Sequence, residues 1–176
     1  MAHIQVLDKH TAELIAAGEV VERPSSVIKE LVENAIDADA TTITVEIEQG
    51  GVALMKITDN GSGIAHEEVP TAFLRHATSK IRTEADLDAI GTLGFRGEAL
   101  ASIAAVSHME VITCTADEQA GTHYVMAGGE PVENEEIGCP TGTTMVVRDL
   151  FYNVPARMKF LKKDVTEGNA VAAVVD

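Results

Sequence analysis

The period of the hydrophobic pattern changes just after residue 38, and that change limits the folds open to this chain. Over residues 24–38, Val27, Ile28, Leu31, Val32, Ala35 and Ile36 fall within one half of a helical wheel. Glu30, Glu33, Asn34 and Asp37 occupy a separate sector. Pro24 suits a first helical turn, whose backbone N–H groups lack partners in any case. From residue 41, TTITVEIEQ alternates with period two and is rich in β-branched residues, so 41–49 is expected to be a strand. Gly50 and Gly51 then turn the chain into a second strand, VALMKITD, over 52–59. A hairpin therefore follows directly on an amphipathic helix.

The rest of the pattern extends this beginning. HTAELIAA (10–17) reads as a short helix stopped by Gly18, and NGSG (60–63) as a polar turn. Residues 66–74, 97–106 and 155–163 read as helices, and 108–115, 122–127 and 143–150 as strands. Residues 75–97 are less regular, with glycines at 91, 94 and 97. Helices, a hairpin, helices and then a run of strands give an α+β expectation: a mixed, mostly antiparallel sheet with helices on one face. The 176 residues suit one domain. Aromatics are 3% and Trp is absent, so the core must come from Val, Ile, Leu, Ala and Met. The closing AVAAVVD carries no helix stop, and the chain is expected to be a fragment of a longer protein.

The net charge of −15 repels nucleic-acid phosphates on average and argues against a DNA-binding module. Charge is uneven: residues 115–136 hold six acids and no Lys or Arg. FYNVPARMKFLKK (151–163) holds Arg157, Lys159, Lys162, Lys163 and no acid; a solvated helix face, or a small partner or nucleic-acid contact, would account for it. Cys114 and Cys139 form no CxxC pair and no metal signature. Without a secretory signal, a cytoplasmic protein with free thiols is expected. No apolar run approaches the ~18 residues that span a bilayer.

Several chemistries are missing. There is no GxxxxGK[ST] phosphate loop. The glycines of GTLGFRG are spaced GxxGxxG and follow no strand-to-helix turn, so the dinucleotide fingerprint fails. SVIK (26–29) matches SxxK but lacks the partner motifs of a serine–lysine nucleophile. The six histidines are scattered and none makes HExxH.

Three segments carry converging chemistry. Glu30 and Asn34 lie one helical turn apart on the same face. A carboxylate there can orient and deprotonate water, and an amide oxygen is a neutral, hard ligand for Mg²⁺. ITDNGSGI (57–64) places Asp59 at a strand end, followed by glycines that admit close approach of another molecule. Such an Asp can accept a hydrogen bond from an exocyclic amine such as that of adenine. LGFRGEALASI (93–103) puts Gly94, Arg96 and Gly97 at a helix start, where free N–H groups bind phosphates. HATSKI (76–81) adds Thr78, Ser79 and Lys80. Taken singly, these are a solvated acidic face, a plain turn and a packed helix of small residues. Taken together, they specify a nucleotide site unrelated to the phosphate loop.

The motifs IAAGEVVERPSSVIKELVENAIDA (15–38), DNGSGI (59–64), HATSKI, LGFRGEALASI and GTTMVVRDLFYNVPARMKFL (142–161) resemble the DNA mismatch-repair MutL family over nearly the whole chain. GFRGEAL with ATSKI separates that family from DNA gyrase B, the heat-shock chaperone and the histidine kinases. The resemblance implies the Bergerat (GHKL) ATP-binding fold. It implies Glu30 as general base, Asn34 as the protein ligand of Mg²⁺, and Asp59 as reader of the adenine amine, with Gly61 and Gly63 allowing close approach. Thr143 would support adenine binding. Thr78, Ser79, Lys80 and the 94–100 segment (Gly94, Phe95, Arg96, Gly97, Glu98, Ala99, Leu100) would close over the phosphates. Glu33 gets no role beyond the solvated face.

The implied activity is Mg²⁺-dependent ATP binding and slow hydrolysis, acting as a switch between mismatch recognition and downstream repair. The alternative is a non-hydrolysing, nucleotide-sensing scaffold module. Implied partners are a MutS-family mismatch-recognition protein, a downstream nuclease or helicase, DNA in the full-length protein, and a second N-terminal domain paired on ATP binding. The implied setting is the bacterial cytosol, with no membrane. The second subdomain and C-terminal dimerisation domain of the family do not fit in 176 residues, so 1–176 is expected to be the N-terminal ATP-binding domain alone. One departure stands out: where the family reads DAGA, this chain reads Asp37-Ala38-Asp39-Ala40. The glycine would relieve a left-handed helix end, a conformation that Asp tolerates better than most residues.

Overall fold

The computed structural model describes residues 21, 23–73, 96–159 and 164–175. Helix α1 spans Pro24–Asp37, with Pro24 in its first turn as the sequence predicts. Its buried face comprises Pro24, Ser25, Val27, Ile28, Leu31 and Ala35. Ile36, expected on that face, is 58% exposed. It lies one turn beyond Val32, at the rim of the apolar sector.

The end of α1 is a Schellman motif. Asp39 N–H donates to the Ile36 carbonyl and Ala40 N–H to the Ala35 carbonyl, at 3.0 and 3.1 Å. The residue that must turn left-handed is Asp39, at φ 61°. The position where the sequence departs from the glycine is thus the one that needs this backbone.

Strand β1 (Ile43–Glu48) pairs antiparallel with β2 (Leu54–Asp59), Ile43 facing Asp59 and Ile47 facing Met55. A 3-10 turn, Gln49–Gly51, joins them. A second 3-10 turn (His66–Glu68) and the short helix α2 (Val69–Ala72) follow. Helix α3 (Arg96–Ala105) precedes β3 (His108–Cys114), β4 (Gly121–Ala127), β5 (Glu130–Ile137) and β6 (Gly142–Arg148). The strand order is β1-β2-β6-β3-β4-β5, and each neighbouring pair is antiparallel. Helices α4 (Pro155–Met158) and α5 (Asp164–Val175) close the described chain.

One sheet face builds the core: Met55, Ile57, Met145, Val147, Met109, Val111, Tyr124 and Met126 pack with Val27, Ile28 and Leu31 of α1 and Ile103 of α3. Helix α5 packs against α1 and the Gln49–Gly51 turn and contributes Val171. The other face carries polar pairs. Glu110 accepts from Arg148 at 3.0 Å and meets His123 Nε2 at 2.5 Å. Burial raises the Glu110 carboxyl, but the hydrogen bonds and charges of Arg148 and His123 outweigh it and hold the group below the usual range.

Two elements go beyond the sequence expectation. β5 is a strand despite Glu130, Glu133, Glu135, Glu136 and Pro131, because it lies at the sheet edge and pairs only with β4. An edge tolerates proline, and its charges discourage pairing with another chain. The register shifts beside Pro131, between Val125 and Met126. Helix α5 is the second, formed by a segment whose sequence carries no helix stop. The helix expected over 155–163 is described only as far as Met158. The helix expected over 10–17 lies outside the described residues.

Candidate functional site

The site forms where the end of α1 meets the ends of β2 and β6. Asp59 is the last residue of β2 and shares the core face with Ile57, because side chains two apart in a strand point the same way. In register it pairs with Thr143 of β6. The turn after it is tightly bound. Gly61 N–H donates to Asp59 Oδ1 at 2.7 Å, and the Thr143 backbone N–H also donates to the carboxylate. Ser62 N–H donates to the Ala38 carbonyl at the end of α1, at 2.9 Å. The Schellman turn at Asp39 therefore aims that carbonyl at the strand-end turn.

Close approach needs glycine at two places here. A Cβ on Gly61 would lie 2.7 Å from the Ala38 carbonyl oxygen. A Cβ on Gly63 would lie 2.1 Å from the Cys114 carbonyl oxygen, and Gly63 has φ 75°. Without those side chains the turn nests between α1 and the end of β3.

The result is a pocket lined by apolar residues with Asn34, Asp59 and Thr143 as polar groups. Its apolar walls include Leu31, Ile57, Ile64 and Met145, and Gly63 sits at its edge. A mostly apolar concavity with a few convergent polar groups is the usual form of a small-molecule site. Burial raises the Asp59 carboxyl above its ordinary range, partly offset by the Gly61 and Thr143 N–H groups. Asn34 Nδ2 is buried and has no hydrogen-bond partner among the described residues. A buried amide without a partner costs free energy unless something else satisfies it. That atom fits an amide positioned for a bound group.

Of the residues singled out in the sequence, Asn34, Asp59, Gly63 and Thr143 meet in this pocket, and Gly61 braces it from behind. Glu30 lies one turn before Asn34, partly buried, with its Oε2 buried, but does not line the pocket. Glu33, expected as wet surface, is also partly buried. Ala99 is buried and Leu100 partly buried in α3, both packed inward. Arg96, Gly97 and Glu98 lie in the first turn of α3, with side chains outside the described set. Thr78, Ser79, Lys80, Gly94 and Phe95 lie outside the described residues.

Sequence reasoning misses Thr113. Its hydroxyl donates to the Gly142 carbonyl at 3.0 Å, lies 2.8 Å from Thr143 Oγ1 and accepts from Ile64 N–H at 2.9 Å. It also misses Asn60, whose Oδ1 accepts from the N–H groups of Thr41 and Thr42 at 2.8 and 2.9 Å. A threonine within a strand gives no sequence signal for such a role. Asn60 does carry one, since it stands inside DNG, but that signal speaks only of a turn. A further group, His123, Glu133 and Glu135, has ligand atoms within 4.8 Å of one another. It lies on the opposite sheet face, away from this pocket.

Residues 22–136 match the family described as histidine kinase-, DNA gyrase B- and HSP90-like ATPases. The chain belongs to this ATPase family. It is 58% identical over 176 residues to the DNA mismatch repair protein MutL of Agathobacter rectalis, and 59% identical over 167 residues to that of Symbiobacterium thermophilum. All of the chain takes part in the first match and 95% in the second, but it spans only 27% and 26% of those relatives. Among solved structures it is similar to the Aquifex aeolicus MutL ATPase domain complexed with ADP, at 35% identity and TM-score 0.70. That match covers 89% of this chain and 54% of the other. The N-terminal domain of a DNA repair protein matches at 30% identity and TM-score 0.77, covering 97% and 49%. The six-stranded antiparallel sheet with helices is thus the GHKL-type fold expected from the sequence. Among the described residues no helix is long and apolar enough to cross a membrane.

Proposed function

We propose that this chain is the N-terminal ATP-binding domain of a MutL-type DNA mismatch repair protein, binding ATP with Mg²⁺ and hydrolysing it slowly as a conformational switch. The observation that carries the reading is the pocket that gathers Asn34, Asp59, Gly63 and Thr143 from three separate segments. The kinship with MutL proteins, and the ADP held by the Aquifex aeolicus domain, support the choice of nucleotide.

In this reading the apolar walls take the adenine ring and the Asp59 carboxylate accepts from its amine. Thr143, held by Thr113, keeps the strand end in place beneath the base. Asn34 would hold Mg²⁺ through its amide oxygen, and the ion when bound neutralises phosphate charge. Glu30 takes a proton from the attacking water at its carboxylate. Thr78, Ser79, Lys80 and residues 94–100 close over the phosphates, and that ordering favours pairing of two N-terminal domains. The paired state relays recognition by a MutS-family protein to a nuclease or helicase acting on DNA.

Calorimetric titration of the 176-residue chain with a non-hydrolysable ATP analogue, with and without Mg²⁺, tests this. Mg²⁺-dependent binding is expected. No binding at millimolar analogue rejects the reading. Steady-state phosphate release, set beside that affinity, separates a switch that hydrolyses from a module that only senses nucleotide.

A further inference from the structure

Cys114 and Cys139 are free and far apart in sequence, yet they meet at one point of the fold. Cys114 ends β3 and pairs with Gly142 of β6. Cys139 lies in the connection between β5 and β6. Gly121, the first residue of β4, sits between them. The position a Cβ on Gly121 would occupy is 2.2 Å from Cys139 Sγ and 3.1 Å from Cys114 Cβ. The sulfur of Cys139 therefore fills the space left by the missing side chain and reaches the side chain of Cys114. A side chain at 121 would collide with the Cys139 sulfur.

The surroundings suit a bond that forms on demand. Cys114 is 4% exposed, and its thiol donates to the Thr115 carbonyl at 3.3 Å. Cys139 is half-buried and gives an oxidant its way in. A disulfide requires the two Cβ atoms to lie about 4 Å apart. The Cys114 side chain lies within hydrogen-bond reach of the Cys139 thiol.

We propose that Cys114 and Cys139 are a redox-active pair that closes to an intramolecular disulfide on exposure to peroxide. The Cys139 thiolate attacks the peroxide O–O bond, giving a sulfenic acid and releasing water once the leaving hydroxide is protonated. The Cys114 thiolate then attacks that sulfur, the S–S bond forms, and a second water leaves. Two thiols are oxidised and one peroxide is reduced. Burial and the neighbouring Cys114, with a smaller contribution from Glu118, push the Cys139 thiol up, so the first step is slow at neutral pH. The bond ties the β5–β6 connection to the strand end whose carbonyl backs Gly63. It is a modification site beside the pocket, and its existence does not depend on the nucleotide reading.

The test treats the folded 176-residue chain with hydrogen peroxide, followed by unfolding, alkylation and intact mass measurement. The expected product is a monomer lighter by two hydrogens, with no alkylated thiol and a cross-linked Cys114–Cys139 peptide that dithiothreitol releases. In urea the same oxidation should give less of this cross-link for each Cys139 oxidised, because only the fold brings the two sulfurs together. Cys139→Ser should give no intramolecular cross-link and leave Cys114 alkylatable. Two alkylated thiols after treatment, oxygen adducts without a cross-link, a dimer as the only disulfide, or an equal cross-linked fraction in urea would each overturn the proposal. Because the readout is mass alone, these results leave the nucleotide reading untouched.

Discussion

Gly63→Ala tests whether the strand-end turn is seated as described. The substitution adds one methyl at φ 75°, which costs about 1–2 kcal/mol for an L-residue in left-handed backbone. The methyl would also lie 2.1 Å from the Cys114 carbonyl oxygen, 2.6 Å from its carbon and 3.1 Å from Thr115 N. These are backbone atoms at the end of β3, so no side-chain rotation relieves the overlap. Overpacking of this kind costs ~1–3 kcal/mol. Together the two effects come to about 2–5 kcal/mol, a large part of the ~5–15 kcal/mol that stabilises a typical domain. Urea unfolding followed by circular dichroism should show a lower midpoint with an unchanged slope. Gly138→Ala is the matched control: nothing lies within 4 Å of its added methyl, and its φ is not left-handed. That variant should stay within ~0.5 kcal/mol of the parent or gain slightly. If Gly63→Ala unfolds within the same margin, the turn does not nest against Cys114 and the pocket wall is misplaced.

Asp59→Ala should weaken nucleotide binding at least about tenfold, from loss of one charged hydrogen bond; calorimetry with an ATP analogue reads it. The raised Asp59 carboxyl sets a pH dependence: protonation removes the acceptor, so affinity should fall with pH already above the ordinary carboxylate range. Titrations at a series of pH values check that sign, with Asp59→Asn as the insensitive comparison. Glu30→Ala should retain most nucleotide affinity while phosphate release falls at least about a hundredfold, and unchanged turnover would remove Glu30 as the base. Asp39→Gly should stabilise by up to ~1 kcal/mol in thermal or urea unfolding, because φ 61° costs glycine nothing. Glu110 has a lowered carboxyl, so its contribution is present above the unfolded-state range near 4 and is lost as pH falls through the folded value. Glu110→Gln should flatten that part of the acid-stability curve, with a loss at neutral pH below about 1 kcal/mol because the pair is partly solvated.

Much of the fold is legible because it rests on local pattern. Pro24, the helical apolar stripe and the period-two run from Thr41 are strong signals, and the structure places α1, β1 and β2 on them. Asp39 is legible for a similar reason: the helix must end there, and a left-handed residue ends it. What escapes the sequence depends on partners. β5 is polar on both sides and becomes a strand only by hydrogen-bonding β4. Ile36 belongs to the apolar stripe but sits at its rim and stays exposed. In the site, residues with distinctive chemistry such as Asn34 and Asp59 could be named in advance. Thr113 could not, because its three contacts come from Ile64, Gly142 and Thr143, remote in the chain.

The pairing of Asp59 with Thr143 also bears on how the molecule folds. These residues close one of the long loops of the chain, and β6 must insert between β2 and β3 before both walls of the pocket exist. Contacts of such large sequence separation form late and slowly. A ligand of this pocket therefore recognises a molecule whose sheet is complete, and has little affinity for a chain with the hairpin and α1 alone. Its binding energy is added to the stability of the whole sheet, growing with ligand concentration over the dissociation constant.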